Sequence, residues 1–355
     1  MRTTTLFTGF PGFLAGRLVP RIVEQDPDTH LIVLVEPRMV ERARAVAPAG
    51  IEILPGDITD PRLGLDADRY DRLCGTVTRV FHLAAVYDLA VGAALAEHVN
   101  VGGTRNVVEL CRRCTGLERL HYVSTAYVAG MRAGLVREEE LAEGQTFKNF
   151  YESTKYAAEV VVRDAMDAVP TTIYRPGIVV GDSTTGETQK FDGPYYLLRA
   201  MSGSRWRPIL QVGRGDAPVN VVPVDFVVDA IAACARDPQA TGHTLHLVDP
   251  DPVSSAEMSR LLALEYQGRE PWLPLPPKVI EIGLRLAPIR RAFGGTPPES
   301  IVYLNHPVRF DTTQAARVLG RNGLQCPTFA DYVGPLVGFY RAHEHDPAYR
   351  PAHER

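Results

Sequence analysis

The residues that decide the fold are Thr8-Gly9-Phe10-Pro11-Gly12-Phe13-Leu14-Ala15-Gly16, a glycine-rich stretch near the start of the chain. An apolar run, 5–7, precedes it and a helix-compatible run, Leu14–Gln25, follows it, so the sequence predicts a strand, a tight turn and a helix. Such a turn aims unpaired backbone N–H groups and the positive end of a helix dipole at one point, which suits a diphosphate. Gly9 and Gly12 let the backbone approach that diphosphate because neither has a Cβ atom. The spacing is GxxGxxA, whereas the commoner dinucleotide fingerprint is GxGxxG.

Composition and charge are those of an ordinary globular protein. The chain has 355 residues, 45% of them hydrophobic and 23% charged, with 38 basic and 42 acidic residues and a formal charge of −4. This length is sufficient to bury a large core. Nucleic acid is not an expected partner because there is no long basic block. No apolar run is long enough to cross a bilayer and no leader pattern opens the chain, so we expect a cytoplasmic protein.

The cysteines also indicate a reducing compartment, because their number is odd and they are scattered. They are Cys74, Cys111, Cys114, Cys234 and Cys326. Cys111 and Cys114 form a CxxC pair on a predicted helix, where this spacing more often places a residue in the core than on a metal. We therefore expect no metal site.

Apolar β-like runs alternate with helical runs through the first half of the chain. Strands rich in Val, Ile and Leu that are separated by helices indicate a parallel sheet covered on both faces. Together with the glycine turn, this pattern predicts an α/β fold with a doubly wound parallel sheet of the Rossmann type, which binds ligands at the carboxyl ends of its strands. The predicted strands are Thr4–Phe7, Leu31–Val35, Ile51–Leu54, Arg79–Leu83, Arg119–Ser124 and Thr171–Tyr174, and the predicted helices are Leu14–Gln25, Val40–Ala47, Val91–Cys114 and Tyr151–Ala168.

The character of the sequence changes after Gly181, where a polar, glycine-rich loop begins. We expect residues 1–182 to form a dinucleotide-binding domain and residues 183–355 to form a smaller C-terminal substrate-binding lobe, with segments near 219–248 rejoining the main domain. The polar tail from His343 is expected to fray. Strand and helix signals in this half lie at Val219–Val224, Phe226–Ala235, Thr244–Val248, Ala256–Tyr266 and Lys278–Ala287.

Three features at predicted strand ends suit a dinucleotide. Glu36 closes the second strand, where a carboxylate accepts hydrogen bonds from an adenosine ribose. Asp57 follows the third strand, where it can accept from the adenine amino group. The small residues after His82, Leu83-Ala84-Ala85, leave room for the cofactor at the end of the fourth strand.

The next motifs supply a hydroxyl, a phenol and an ammonium group, which are the groups that carbonyl reduction requires. Ser124 and Thr125 end the fifth strand, and Tyr151 and Lys155 share one face of the next helix because they are four residues apart. A free tyrosine has a pKa near 10. A nearby ammonium favours the phenolate and lowers that pKa towards the working pH, while a hydroxyl holds the carbonyl oxygen.

The chain resembles the short-chain dehydrogenase/reductases in their extended form, over residues 4–183. The resemblance implies that Tyr151 is the general acid/base, that Lys155 also contacts the nicotinamide ribose, and that Thr125 or Ser124 positions the substrate, with Thr125 favoured by the count back from residues 128–130. The motifs that carry it are Thr8-Gly-Phe-Pro-Gly, Gly56-Asp-Ile, His82-Leu-Ala-Ala, Asn100-Val-Gly-Gly-Thr104, Val123-Ser-Thr-Ala-Tyr-Val, Tyr151-xxx-Lys155 and Tyr174-Arg-Pro-Gly177. The expected cofactor-binding residues are Thr8, Gly9, Phe10, Pro11, Gly12, Phe13, Leu14, Glu36, Arg38, Asp57, Ile58, Leu83, Ala84, Ala85, Asn100, Lys155, Arg175, Pro176, Gly177 and Ile178, with Asn100 as the family's structural asparagine.

Within that family the chain is most similar to the fatty acyl-CoA and thioester reductase branch, through the segments 123–130, 175–183 and 185–187. Those relatives reduce acyl thioesters or aldehydes, usually with NADPH, and tend to have Arg where this chain has Glu36. A carboxylate repels a ribose phosphate, whereas Arg38 attracts it. The choice between NAD and NADP therefore stays open.

The leading hypothesis is an NAD(P)-dependent carbonyl oxidoreductase for an apolar, acyl-chain or aldehyde substrate. The first alternative is a nucleotide-sugar epimerase or dehydratase that binds its substrate through arginines. The second is a non-catalytic sensor, which the presence of both Tyr151 and Lys155 disfavours. A homodimer is the default assembly. Helix Lys278–Phe293 is a candidate contact for an acyl carrier or a membrane surface. The arginines of the epimerase hypothesis are Arg199, Arg205, Arg207 and Arg214, and the candidate pocket residues are Tyr87, Phe191, Tyr195, Tyr196, Leu197, Trp206, Trp272 and Leu273.

Overall fold

A seven-stranded, all-parallel sheet forms the centre of the computed structural model, which describes residues 3–87, 92–202 and 209–350. The order of its strands is β11-β7-β5-β4-β1-β2-β3, which is the doubly wound arrangement, so the predicted fold class is confirmed. The strands of the described residues are β1 (Thr4–Thr8), β2 (His30–Val35), β3 (Glu52–Pro55), β4 (Arg79–His82), β5 (Arg119–Val123), β6 (Gly134–Val136), β7 (Thr171–Pro176), β8 (Ile178–Val180), β9 (Leu210–Val212), β10 (Val221–Pro223), β11 (Thr244–Leu247), β12 (Leu273–Leu275) and β13 (Val308–Phe310).

Helices cover both faces of this sheet because its strands are apolar on both sides. On one face α1 packs against α8, around Leu18 and Val227. On the other face α3, α5 and α6 pack together around Leu73, Val107 and Ala158. The α-helices of the described residues are α1 (Phe13–Gln25), α2 (Val40–Val46), α3 (Ala67–Thr76), α4 (Ala93–Ala96), α5 (Gly103–Arg113), α6 (Phe150–Arg163), α7 (Tyr195–Ser202), α8 (Val224–Arg236), α9 (Ser255–Gln267), α10 (Pro277–Arg285), α11 (Ala287–Ala292), α12 (Thr313–Arg321) and α13 (Phe329–His343).

The second half of the chain contributes to both the central sheet and a smaller lobe. β11 pairs with β7 in the central sheet, and α8 lies against α1. Helices α7, α9 and α13 pack around a separate apolar cluster that includes Met258, Tyr332 and Leu336. Two-stranded parallel pairs, β10–β8, β12–β9 and β13–β6, connect these parts. No helix in the described ranges combines the length and apolar character needed to cross a membrane.

The expected helix Val91–Cys114 is helical from Ala93 to Arg113 but contains a π-helical turn, and its first residue lies outside the described residues. A π-helical turn, Glu97–Gly102, separates α4 from α5. Within this turn the buried Asn100 side chain accepts a hydrogen bond of 2.8 Å from the N–H of Val86. The irregular turn, common at functional sites, thus tethers the loop that follows β4.

The described part of the polar tail, 343–350, packs against the lobe, which corrects the expectation that it frays from His343. α13 ends at His343, and a short 3₁₀ helix, Pro347–Tyr349, follows. The ring of Tyr349 stacks on Phe191 with centroids 5.1 Å apart. Aromatic packing therefore holds the segment, although its sequence is polar.

Candidate active site

A single cleft of about 2540 Å³ runs along the carboxyl ends of the central strands and continues into the smaller lobe. The glycine turn after β1 forms one end of its wall, and the first turn of α6 contributes Tyr151 and Lys155 to the middle. In doubly wound folds ligands bind at this edge of the sheet. The residues predicted from distant motifs thus lie in one cavity.

The glycine turn is closed by the end of β4. Gly9 has φ +91°, and a Cβ atom built on it would lie 2.8 Å from the backbone of both Leu83 and Ala84. A Cβ on Gly12 would lie 2.7 Å from the carbonyl oxygen of Gly9. No side chain caps α1, whose first residues line the cleft, so its first-turn N–H groups have no side-chain acceptor. The donor set and the absent Cβ atoms fit the diphosphate of a dinucleotide.

Acidic and basic side chains lie together at the expected adenosine end. Glu36 and Arg38 both line the cleft and form an ion pair with each other. Arg42, from α2, lines the same part of the cleft and was not predicted. Asp57 lines it as well, but its Oδ1 accepts hydrogen bonds from the N–H and hydroxyl of Thr59 at 2.9 and 2.8 Å. One of the two oxygens of Asp57 therefore holds its own turn.

Tyr151 lies in the first turn of α6, where Asn149 caps the helix by accepting a 2.9 Å hydrogen bond from the N–H of Glu152. Its ring meets Tyr87 edge-on, with centroids 5.0 Å apart. Burial raises the pKa of the Tyr151 phenol, and the nearby hydroxyl of Thr125 opposes that rise. The Thr125 hydroxyl itself donates to the carbonyl oxygen of Pro176 at 3.5 Å, and it lines the cleft with Tyr151, whose phenol stays protonated at neutral pH.

The ammonium of Lys155 is bound by groups that the sequence did not indicate. It donates to the carbonyl oxygen of Val123 at 2.8 Å and to the hydroxyl of Tyr122 at 3.1 Å, and it lies 4.6 Å from the centroid of the Tyr122 ring. Burial lowers the pKa of Lys155 to about 8, although Glu159 opposes the change. The Tyr151 pKa is raised rather than lowered as expected, because burial is the dominant influence on the phenol.

A chain of buried side chains continues from Tyr122 to the glycine turn. The Tyr122 ring lies against that of His82 with centroids 5.6 Å apart, and Nε2 of His82 is 3.0 Å from Oγ1 of Thr104. The other ring nitrogen of His82 is 2.7 Å from Oγ1 of Thr8. Burial, followed by Lys155, lowers the pKa of His82 to about 3, so the ring is neutral. This chain links Lys155 to the residue that precedes Gly9.

Several residues predicted for the site lie behind the cleft wall. Thr8 and Asn100 are buried in the hydrogen bonds already described. Ser124 lines the cleft, although its hydroxyl donates to Glu159 at 2.6 Å, and Arg175 forms a 2.7 Å ion pair with the same carboxylate behind the wall. The Arg175 side chain is buried and is not among the lining groups, whereas the following Pro176, Gly177 and Ile178 are. The structure therefore brings the backbone of this segment, rather than its guanidinium, to the cleft.

Some of the predicted pocket residues line the cleft, and others do not. Tyr87, Phe191, Tyr196 and Leu197 line the cleft. Tyr195 does not, because it packs in the lobe core and its hydroxyl accepts from the N–H of Gly181 at 3.2 Å. Trp272, which is exposed, and Leu273 do not line the cleft. Trp206 lies outside the described residues, as do Arg205 and Arg207 of the epimerase hypothesis.

Tyr303, from the lobe, was also not anticipated. It lines the cleft, and its hydroxyl donates to the buried carboxylate of Glu152 at 2.7 Å, next to Tyr151. Tyr122 is 33 residues away from its partner Lys155 in the sequence, and Tyr303 is 151 residues away from its partner Glu152. The only local signal is that Tyr122 immediately precedes the strand-end motif.

Comparison with known proteins gives one family match and partial relatives. The family model described as male sterility protein matches residues 7–231. One polypeptide of the linear gramicidin synthase of Brevibacillus parabrevis is 28% identical over 288 residues, which are 75% of this chain and 5% of that protein. Aldehyde reductase lnbA of Aspergillus flavus is 31% identical, over 59% of this chain and 21% of that protein. Fatty acyl-CoA reductase wat of Drosophila melanogaster is 29% identical, over 53% of this chain and 41% of that protein. The chain thus spans less than half the length of each of these relatives.

Solved structures cover almost the whole chain. The terminal R domain from the myxalamid PKS-NRPS biosynthetic pathway is 26% identical, with a TM-score of 0.81 over 98% of this chain and 93% of that one. UDP-glucuronic acid 4-epimerase from Bacillus cereus, in complex with NAD, has a TM-score of 0.67 at 15% identity over 98% of this chain and 100% of that one, and so shares the fold alone. The chain belongs to the male sterility protein family, in the thioester reductase branch of the extended short-chain dehydrogenase/reductases.

Proposed function

We propose that the protein is an NAD(P)H-dependent reductase that acts on the carbonyl carbon of an aldehyde or acyl thioester with an apolar chain. The observation that carries this proposal is that Thr125, Tyr151 and the buried Lys155 line the same cleft as the glycine turn. A bound nicotinamide dinucleotide supplies the hydride that adds to the carbonyl carbon. The protein must then stabilise and protonate the oxygen.

Three side chains divide that work. The hydroxyl of Thr125 donates a hydrogen bond to the carbonyl oxygen and orients it towards the phenol. Tyr151 transfers its proton to the same oxygen as negative charge develops there, which completes the alcohol from an aldehyde. The phenolate that remains is stabilised by the ammonium of Lys155, which Tyr122 and Val123 hold within the cleft. Because the pKa of Tyr151 is raised, the phenol carries its proton before the reaction starts.

The substrate is proposed from the wall of the lobe. Beyond Tyr151 the cleft is lined by many Met, Ile, Leu and Val side chains, which favour a long apolar chain, although Arg199 of the epimerase hypothesis lines it as well. The relatives named as fatty acyl-CoA reductase and aldehyde reductase support this class. Arg214, one arginine of the epimerase hypothesis, is exposed and pairs with Asp216 at 2.7 Å. The lining side chains are Met201, Ile209, Leu210, Val212, Val219, Met258, Leu275, Ile280, Leu284, Ile301 and Leu304.

The division of the chain and the choice of dinucleotide are part of the proposal. Residues 1–182 bind the dinucleotide, and residues 183–355 form the substrate lobe. The paired Glu36 and Arg38 suit either ribose, since the carboxylate accepts from a 2′-hydroxyl and the guanidinium attracts a 2′-phosphate. Arg42 adds a second positive charge at this end of the cleft. We therefore expect both NADH and NADPH to bind.

The experiment is a reduction assay with each dinucleotide and a panel of aldehydes, acyl thioesters and ketones of increasing chain length. Dinucleotide oxidation and the alcohol or aldehyde product are measured together. Activity that rises with apolar chain length supports the proposal, and an absence of turnover across the panel contradicts it. Tyr156→Phe is the matched control for Tyr151→Phe, because Tyr156 is also half-buried on α6 but lies outside the cleft lining.

A further inference from the structure

Exposed apolar side chains are concentrated in one short part of the lobe. Among the described residues eleven large apolar side chains are exposed, and five of them lie between residues 272 and 289. Single exposed apolar residues are ordinary on protein surfaces, whereas a cluster marks a surface that something covers. The five are Trp272, Val279, Ile282, Leu286 and Ile289.

Helix α10 has apolar residues on two opposite sides. Ile280 and Leu284 pack inward, in a cluster with Val212 and Ile301. Val279 and Ile282 point the other way and are 53% and 63% exposed, and Leu286, at the end of the helix, is 56% exposed. The inner side accounts for the packing of α10 on the lobe. The outer side leaves more than half of each of these side chains exposed.

Basic side chains surround this outer side. Lys278 and Arg285 lie on α10 next to the exposed apolar residues, and Arg290 and Arg291 follow on α11. Glu281 is the one acidic residue in the segment 277–291, and it pairs with Arg285 at 2.6 Å. The segment is therefore positively charged although the whole chain has a formal charge of −4.

We infer that this surface binds the headgroup region of a membrane that contains anionic lipids. We call it the interfacial patch and define it as Val279, Ile282, Leu286 and Ile289 with Lys278, Arg285, Arg290 and Arg291. Aliphatic side chains that protrude from a helix between basic residues insert at the boundary of headgroups and acyl chains, while the cations attract lipid phosphates. A second copy of the chain is a poorer occupant, because a two-fold contact would bring the arginines of both copies together.

The position of the patch connects it with the cleft. Five patch residues line the cleft as well, namely Val279, Arg285, Ile289, Arg290 and Arg291. Docking on a bilayer would thus place the entrance of the cleft at the lipid surface. This part of the inference rests on the proposed function, since it lets an apolar aldehyde or acyl chain pass from the lipid into the lobe without crossing water.

The experiment is co-sedimentation of the whole chain with phosphatidylcholine vesicles, prepared with or without phosphatidylglycerol. It needs no substrate or dinucleotide, so its result is independent of the reductase proposal. We expect binding to the anionic vesicles only, weakened by salt. The double variant Ile282→Asp and Leu286→Asp should lower the bound fraction more than about tenfold, because it removes the inserted apolar groups. Arg290→Gln and Arg291→Gln should each weaken binding about fivefold.

Val46→Asp is the control, because Val46 is 57% exposed but lies on α2, away from the lobe. It should bind vesicles as the unsubstituted chain does. Neither Ile282 nor Leu286 lines the cleft, and both are exposed, so the double variant should keep its thermal stability and its turnover of a short water-soluble aldehyde. Absence of binding to anionic vesicles, or equal binding by the double variant, would overturn the inference. So would a dimer that the double variant dissociates, since a second copy would then cover the patch.

Discussion

The ammonium of Lys155 donates a hydrogen bond of 3.1 Å to the hydroxyl of Tyr122, a buried strand residue, rather than to Tyr151 on its own helix. Tyr122 therefore fixes where the positive charge lies in the cleft. Through the ring of His82 it also connects that charge to Thr8, at the start of the glycine turn. The reacting groups and the dinucleotide site are thus joined by side chains that never reach the substrate.

This arrangement predicts how reduction depends on pH. The pKa of Lys155 is lowered to about 8, so the ammonium is present below that pH and is lost as the pH rises through it. Because the cation stabilises the Tyr151 phenolate, the reduction rate should fall at alkaline pH with an apparent pKa near 8. Tyr122→Phe removes one acceptor of the ammonium but keeps the ring, so it should move this pKa to lower pH. The measurement is kcat against pH for both proteins.

Tyr156→Phe is again the control and should leave the profile unchanged. A profile that is flat up to pH 10, or one that Tyr122→Phe leaves in place, would show that the charge of Lys155 does not govern the reaction.

The glycine turn gives a prediction about dinucleotide affinity. In Gly12→Ala the new Cβ would lie 2.7 Å from the carbonyl oxygen of Gly9, so the turn must open. Dinucleotide affinity should fall more than about tenfold, which needs only about 1.4 kcal/mol of distortion. In the control, Gly16→Ala, the nearest atom to the new Cβ is 3.9 Å away, and affinity should be retained. Fluorescence titration measures both, and equal affinities would place the diphosphate elsewhere.

The pairing of Glu36 with Arg38 predicts the direction in which cofactor preference can be changed. Glu36→Gln removes a negative charge and frees the guanidinium, so the affinity for NADPH relative to NADH should rise about fivefold, as expected for a surface charge worth about 1 kcal/mol. Glu41→Gln, an exposed carboxylate paired with Arg44, is the control. A preference that stays constant in Glu36→Gln would mean that this side chain does not face the ribose.

Arg175 should determine stability more than dinucleotide binding. Its guanidinium pairs with Glu159, and both side chains are almost fully buried. Arg175→Met leaves that carboxylate without its main partner and should lower the free energy of unfolding by about 3–5 kcal/mol. Arg44→Met removes an exposed pair and should cost less than about 1 kcal/mol. Denaturant unfolding tests both. If Arg175→Met folds normally but loses dinucleotide affinity, the family's expected role for this side chain is right and ours is wrong.

The fold was predictable wherever a strand forms a recognisable apolar run in the sequence. The apolar runs that became β1 to β5 and β7 lie within one or two residues of their predicted ends, because Val, Ile and Leu on both faces require a covered parallel sheet. α3 was missed because Tyr70 and Leu73 are its only buried residues. The sequence also offers little signal for α13, which contains Gly334, Pro335 and Gly338. Its helix is stabilised by tertiary packing, which outweighs local propensity.

The candidate site was also predictable only in part. Its strand-end and helix-face residues were predictable because topology brings the ends of parallel strands to one edge. The partners of Lys155 and Arg175 were not, since side-chain pairing depends on which neighbouring group is nearer after folding. Tyr122 binds the ammonium, and Glu159 binds the Ser124 hydroxyl and holds the Arg175 guanidinium behind the cleft wall.

The most direct test of the account is single-turnover reduction of a long-chain aldehyde by Tyr151→Phe, at a saturating concentration of the preferred dinucleotide. We predict that the rate falls by about a hundredfold to ten-thousandfold, as expected for loss of a general acid, while dinucleotide affinity is unchanged and Tyr156→Phe keeps the original rate. Reduction by Tyr151→Phe at the rate of the unsubstituted chain would contradict the assignment of Tyr151 as the proton donor.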